Sequence, residues 1–181
     1  QSLTDLYADQ GYAFVEINPI TSEFLDLVNI NFEISLNKMT YINRITISGN
    51  TRTQDEVIRR EIGVSEGGLY SRTILKDSLL SLRRLGYFSD VQISTSEVEG
   101  MSDKININFS VEETQTGAVS FSMSHSNNYG IAFGAGVQEK NIFGSGNTLN
   151  ADLKIAKSFN KVSFYFMNPN FNDEGHSVSI G

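Results

Sequence analysis

Cysteine is absent from this chain of 181 residues, histidine occurs twice, and its 14 Lys and Arg are outnumbered by 21 Asp and Glu. Each shortage removes a class of function. Without cysteine there is no disulfide and no thiolate metal site. A formal net charge of −7 argues against nucleic acid as a partner, because that binding needs clustered Lys and Arg to neutralise phosphates. No run approaches the ~18 to 20 apolar residues of a membrane-spanning helix, so any passage through a bilayer has to be made by strands. His125 and His176 stand apart from any spaced set of carboxylates. The expectation is a protein that is not an enzyme and carries no cofactor or metal.

What the chain does have, from Gly117 onward, is alternation. Val119, Phe121 and Met123 point one way and Ser120, Ser122 and Ser124 the other. Ile131, Phe133, Ala135 and Val137 repeat the pattern. Leu149, Ala151, Leu153 and Ile155 follow, set against Thr148, Asn150, Asp152 and Lys154, and a fourth segment carries Val162, Phe164 and Phe166. Strand side chains switch face at every residue, so these segments predict a sheet with one greasy and one wet face. That is the signature of a transmembrane β-barrel, here attached to a compact α+β domain. Gly-Ser-Gly-Asn at 144–147 lies between two such strands. It reads as a tight hairpin turn and not as a phosphate loop, which would precede a helix. Gly130, Gly134 and Gly136 in the second strand mark a bend or a close backbone approach.

The chain opens without the basic region and apolar block of an export signal. Residues 2–7 read as the tail of a helix with Leu3, Leu6 and Tyr7 on one face, and residues 178–181 fall within another alternating strand. The chain is therefore expected to be a piece of a longer protein.

One supersecondary unit occurs twice ahead of the alternating strands. Residues 28–34 read Val-Asn-Ile-Asn-Phe-Glu-Ile and residues 105–111 read Ile-Asn-Ile-Asn-Phe-Ser-Val, each after a Gly-Tyr pair, Gly11-Tyr12 and Gly86-Tyr87. The second copy is complete. It opens with a strand at 41–48 whose alternation is imperfect. Thr53 and Glu56 then predict a capping box for a helix holding Val57, Ile58 and Ile62 and stopped by Gly63. A second helix from Ser71 places Ile74, Leu75, Leu79, Leu82 and Leu85 in one apolar stripe and ends at Gly86. Strands at 88–95 and 104–112 complete a β-α-α-β-β order, two helices packed on one sheet. Glu112 and Glu113, adjacent on a strand, face opposite ways, and Glu97 and Glu99 read as solvated residues of a turn-rich stretch.

These residues carry a resemblance. Arg-Ile-Thr-Ile-Ser-Gly-Asn-Thr at 44–51, the helix end Arg59-Arg60-Glu61 and Leu85-Gly86-Tyr87-Phe88 resemble the polypeptide-transport-associated (POTRA) domain of outer-membrane assembly proteins. Residues 1–37 resemble the end of a preceding POTRA domain. From Gly117, and above all at Gly136-Val137-Gln138, Asn-Ile-Phe-Gly-Ser-Gly at 141–146 and Asn168-Pro169-Asn170-Phe171, the chain is similar to the first four strands of that family's sixteen-stranded barrel. Asn170 departs from the pattern, since the family often has an aromatic there.

The resemblance covers the whole chain and implies three parts: residues 1–37, a complete POTRA domain at 41–113, and the first strands of a transmembrane barrel at 117–181. It implies an outer-membrane protein of a Gram-negative bacterium with periplasmic POTRA domains. The implied function is folding and insertion of β-barrel proteins by strand-edge pairing, without covalent chemistry. Implied partners are unfolded outer-membrane proteins, accessory lipoproteins of the assembly complex, and outer-membrane lipid. The barrel edge for the arriving strand would be Ala118, Val119, Ser120, Phe121, Ser122, Met123 and Ser124, with Phe121 and Met123 meeting lipid and the serines lining the lumen. The POTRA edge would be Phe88, Ser89, Asp90, Val91, Gln92 and Ile93. Arg60 and Glu66, beside the loop at 63–68, would contribute to an accessory-lipoprotein surface, where the residues alone read as a flexible connector. Three alternatives stand beside this reading: a two-partner secretion or autotransporter-assembly translocator of the same family, a passive porin or receptor barrel with a periplasmic domain, and a soluble sandwich.

Overall fold

A computed structural model describes residues 2–24, 27–128, 130–172 and 175–181. In chain order the elements are α1 (Leu3–Ala8), β1 (Glu16–Phe24), β2 (Leu27–Ser35), β3 (Tyr41–Ser48), α2 (Asp55–Arg59), α3 (Arg72–Arg84), β4 (Phe88–Val98), β5 (Met101–Glu113), β6 (Gly117–Ser126), β7 (Gly130–Ile142), β8 (Asn147–Ala156), β9 (Asn160–Asn168) and β10 (Val178–Ile180). The chain divides into two compact units. One comprises Gln1–Gly49, Arg59–Leu85 and Asp90–Val111, the other Asn50–Ile58, Gly86–Ser89 and Glu112–Gly181.

In the first unit β3, β5 and β4 form a sheet in that order, with β3 parallel to β5. The imperfect alternation of β3 has a structural cause: its register against β5 slips between Ile42 and Arg44. Asn43 is the extra residue of a bulge, so Ile42 and Ile45 both enter the core although they lie three apart. On β5 the regular period of two buries Ile105, Ile107, Phe109 and Val111. Ser71 caps α3, its hydroxyl accepting from the Ile74 amide at 3.3 Å. Leu75 and Leu82 are buried as the stripe predicts, but Ile74 is 42% exposed. Ser78 turns inward in its place, donating to the Ile74 carbonyl (2.7 Å) and accepting from the Gly63 amide (2.9 Å).

Ser2 and Asp5 give α1 a capping box of its own. Asp9, just past its end, accepts from the Ser71 hydroxyl (3.0 Å), the Thr73 amide (2.8 Å) and the Thr73 hydroxyl (2.7 Å). The Thr73 hydroxyl does most to lower the Asp9 pKa, and a carboxylate there also suits the positive end of α3. β2 and β5 carry the two copies of the repeated sequence, and β1 pairs antiparallel with β2 from Glu16 against Ser35 to Phe24 against Leu27. Glu97 lies within β4, so only Glu99 and Gly100 of that acidic stretch form the turn.

The second unit is built on a five-stranded antiparallel sheet ordered β10-β9-β8-β7-β6, the four alternating segments and the further strand expected at 178–181. Its register aligns the two faces. Phe121, Ala135, Leu153 and Val162 stand in one row, and Ser120, Gly136, Asp152 and Ser163 in the next. Gly136 is a close approach: a Cβ there would meet Ser120 Oγ and Asp152 Oδ1. At the turn after β9, the Asn170 amide donates to Asn168 Oδ1 (2.9 Å), and the Asn170 side-chain oxygen accepts from the Gly175 amide (2.8 Å). α2 is shorter than expected, ending at Arg59 and not near Gly63, with Val57 and Ile58 buried.

Candidate functional site

β6 is the terminal strand of its sheet, paired on one side with β7 over its full ten residues. Its other edge ends the ladder among the described residues. Phe121 is 82% exposed and Met123 73%, and the apolar face continues across Phe133, Val137, Leu153, Ile155, Val162 and Phe164, all exposed. Such a face in contact with water is costly at roughly 25 cal/mol per Å² of apolar surface, and in a barrel wall hydrocarbon covers it. Residues 118–124 thus share one strand, odd numbers on the apolar face and even numbers on the polar one. His125 lies on the same strand, and His176 Nδ1 is 3.1 Å from Asn172 Oδ1.

The base of this sheet is held by a carboxylate that sequence reasoning left as an ordinary strand residue. Glu113 accepts from the Thr51 amide (3.0 Å) and hydroxyl (2.6 Å), the Arg52 amide (3.0 Å) and the Thr53 amide (2.6 Å). It therefore takes the Thr53 amide that Glu56 would have taken in a capping box, together with the Thr51 and Arg52 amides. The Thr53 hydroxyl accepts instead from Asn141 Nδ2 at 2.9 Å. Asn141 Oδ1 takes the Gly146 amide (2.7 Å), the Gly144 carbonyl accepts from the Gln54 amide (2.9 Å), and the Tyr87 hydroxyl donates to the Gly146 carbonyl (3.2 Å). Nothing local announces this network, because its members come from four separated stretches.

Burial of the Glu113 side chain works to raise its pKa, but the Thr51 hydroxyl and the Thr53 and Arg52 amides outweigh it and bring the carboxyl to about 2, from an ordinary 4.5. A folded value below the unfolded one stabilises fully above pH 4.5 and is lost as pH falls toward 2. Glu113→Gln is accordingly expected to melt at a lower temperature than the parent at neutral pH, with the gap closing as both are acidified through that window. A gap that stays constant down to pH 2 would show that the charge is not what the amides recognise.

In the first unit the two sheet edges differ. The outer edge of β3 is occupied: the Ile42 amide donates to the Gly68 carbonyl (2.9 Å), the Gly67 amide to the Ile42 carbonyl (2.7 Å) and the Tyr70 amide to the Thr40 carbonyl (2.9 Å). Further along, the Ile45 amide donates to Glu66 Oε1 (2.9 Å) and Arg59 donates to the Ile45 carbonyl (3.3 Å). Glu66 is thus engaged with β3, while Arg60 lies 3.7 Å from Glu61. Those two residues serve different bonds. β4 is the terminal strand, with Phe88 and Val91 buried in the core and Ser89 and Gln92 exposed. Near its start the Val91 amide donates to Asp90 Oδ1 (2.8 Å) and Arg83 donates to the Val91 carbonyl (3.0 Å). A strand added along residues 88–93 has to displace that pair, a form of edge protection that also discourages aggregation.

An α+β domain leading directly into an antiparallel sheet with an exposed apolar face defines a POTRA domain joined to transmembrane barrel strands. Residues 40–114 match the POTRA family model, described as "Surface antigen variable number repeat". The chain is 33% identical to the outer membrane protein assembly factor BamA of Neisseria meningitidis over 94% of its own length and 22% of that protein's. It is 31% identical to BamA of Nitratidesulfovibrio vulgaris over the same shares. The crystal structure of BamA from Haemophilus ducreyi lacking POTRA domains 1-3 shares the fold with a TM-score of 0.87 at 24% identity, covering 98% of this chain and 34% of that one. Residues 40–114 thus belong to the POTRA family, and the chain resembles BamA-like outer-membrane β-barrel assembly proteins over 94% of its length. It spans 22% of the length of the curated relatives it matches.

Proposed function

We propose that the protein containing this chain folds and inserts β-barrel proteins into the outer membrane by offering strand edges, with no covalent step. The observation that carries this reading is β6, a ten-residue strand ending its sheet beside a continuous apolar face. An unfolded strand brings unpaired amides and carbonyls that hydrocarbon cannot satisfy. A ready edge satisfies them one ladder at a time. The substrates are unfolded outer-membrane proteins, received along residues 118–124, with outer-membrane lipid against Phe121 and Met123. β4 serves chains in transit once Arg83 and Asp90 are displaced. The loop at 63–68, held on β3 by Glu66 and flanked by Arg60, is the surface for an accessory lipoprotein. Full-length protein in liposomes should accelerate folding of a urea-unfolded barrel substrate, read by its shift in electrophoretic mobility. A rate equal to that in protein-free liposomes would remove the assembly reading and leave a passive barrel.

A further inference from the structure

Among the described residues, Phe143 is the one non-glycine with positive φ, at +52°. A bulky side chain rarely adopts that region, and such outliers persist only where the surroundings over-determine them. Here they do. The Gly144 amide donates to the Asn141 carbonyl (3.1 Å), and the Ser145 amide and hydroxyl donate to the Ile142 carbonyl (3.1 and 2.7 Å). Asn141, Gln54 and Tyr87 grip the turn from the other side, and a Cβ on Gly144 would collide with the Arg52 carbonyl. The outcome is a rigid turn whose aromatic ring is 90% exposed.

A single exposed apolar side chain is ordinary, but this one sits at a particular level. Gly117, the start of β6, pairs with Glu139, so the turn between β7 and β8 lies at the periplasmic end of the sheet. The apolar face runs down this hairpin through Val137 and Ala151 to Leu149, with Phe166 opposite Leu149 on β9. The turn comes next along the strands, at the height of the lipid headgroups, where barrels carry aromatic girdles. Beside Phe143 is a cavity of about 410 Å³ lined by Arg52, Tyr87, Glu113, Glu139 and Asn141 among others. Arg52, with more than half its side chain exposed, is the cation of that group, lying 3.7 Å from Glu113 and donating to the Thr114 carbonyl (2.8 Å).

The geometry points to a phospholipid of the periplasmic leaflet as the occupant of this turn, its acyl boundary against Phe143 and its headgroup phosphate against Arg52. Continuity with the lipid-covered face selects lipid over a protein partner, and the guanidinium supplies the donors a phosphate accepts. Seated so, the turn fixes the base of the β6 edge at the membrane surface. The inference rests on the barrel and not on the assembly activity, so a failed folding assay leaves it standing.

The test uses full-length protein reconstituted in vesicles of phosphatidylethanolamine and phosphatidylglycerol, other cysteines removed. A fluorescent NBD label is placed by Phe143→Cys, with Val137→Cys as the bilayer control and Glu99→Cys as the aqueous one. Nitroxide lipids should quench the label at 143 most strongly when the nitroxide is shallow, corresponding to about 5 to 10 Å into the headgroup and acyl boundary. Aqueous iodide should quench it far less than the label at 99. Phe143→Trp, which keeps an aromatic ring, should be quenched by brominated lipid, and Arg52→Gln should weaken that quenching. Iodide quenching at 143 equal to that at 99, without quenching by lipid, overturns the proposal. So does shielding that appears only when another periplasmic protein is added.

Discussion

Alanine in place of Leu82 is expected to lower the unfolding free energy of residues 40–114 by ~2 to 5 kcal/mol. Leu82 has 0% exposure, so its removal sacrifices transfer free energy and leaves a cavity that close-packed neighbours fill only in part. Ile74→Ala on the same helix is the internal control. That side chain is 42% exposed, and its loss should stay within ~0.5 kcal/mol. Urea denaturation of the two variants and the parent, with unchanged m-values, measures both. Equal costs at the two positions would mean that α3 presents a different face to the sheet.

The contrast between Leu82 and Ile74 also shows where the sequence was readable. Period and punctuation were legible: β3 runs over Tyr41–Ser48 as its apolar residues predict, α3 is capped at Ser71, and the alternating segments became β6 to β9 with their faces in register. What stayed hidden depends on partners far away in the chain. A helical stripe lists candidates for burial, but the neighbour packed against it chooses among them, and Ser78 displaced Ile74 because the Gly63 amide needed an acceptor. The Thr53 and Glu56 signal for a capping box was locally sound. It was superseded by Glu113, sixty residues on, which takes the Thr53 amide that Glu56 would have taken and the Arg52 amide beside it. The imperfect alternation of β3 marked an irregularity, but that Asn43 is the bulged residue appears only once β5 lies alongside. For the candidate site, the β6 edge and its two faces were readable from alternation. The engagement of Val91 by Asp90 and Arg83, and the left-handed backbone at Phe143, were not.

The larger functional effect is expected from proline in β6. Amides along an antiparallel strand alternate between the paired neighbour and the free edge. A proline scan over residues 119–123 therefore samples both classes. Proline at an outward amide deletes a donor that an arriving strand needs and places a ring in its path. Such variants should insert into membranes and keep the β6 and β7 pairing, yet lose most of the acceleration of substrate folding. Proline at an inward amide should damage the sheet itself, which circular dichroism distinguishes. Ser122→Ala leaves the main chain intact and should be mild. An outward proline variant with full activity would mean that the ladder at β6 is dispensable.

The most direct measurement is a disulfide crosslink between β6 and a stalled substrate. Single cysteines would be placed along residues 118–126 of the full-length protein and along one strand of an unfolded barrel protein halted during insertion. If β6 templates the incoming strand, crosslinks form in a register, with each step of two along residues 118–126 matched by a step of two on the substrate. Crosslinks found only at other barrel positions, or scattered along β6 without register, would contradict edge pairing and favour a barrel that acts by disturbing the bilayer around it.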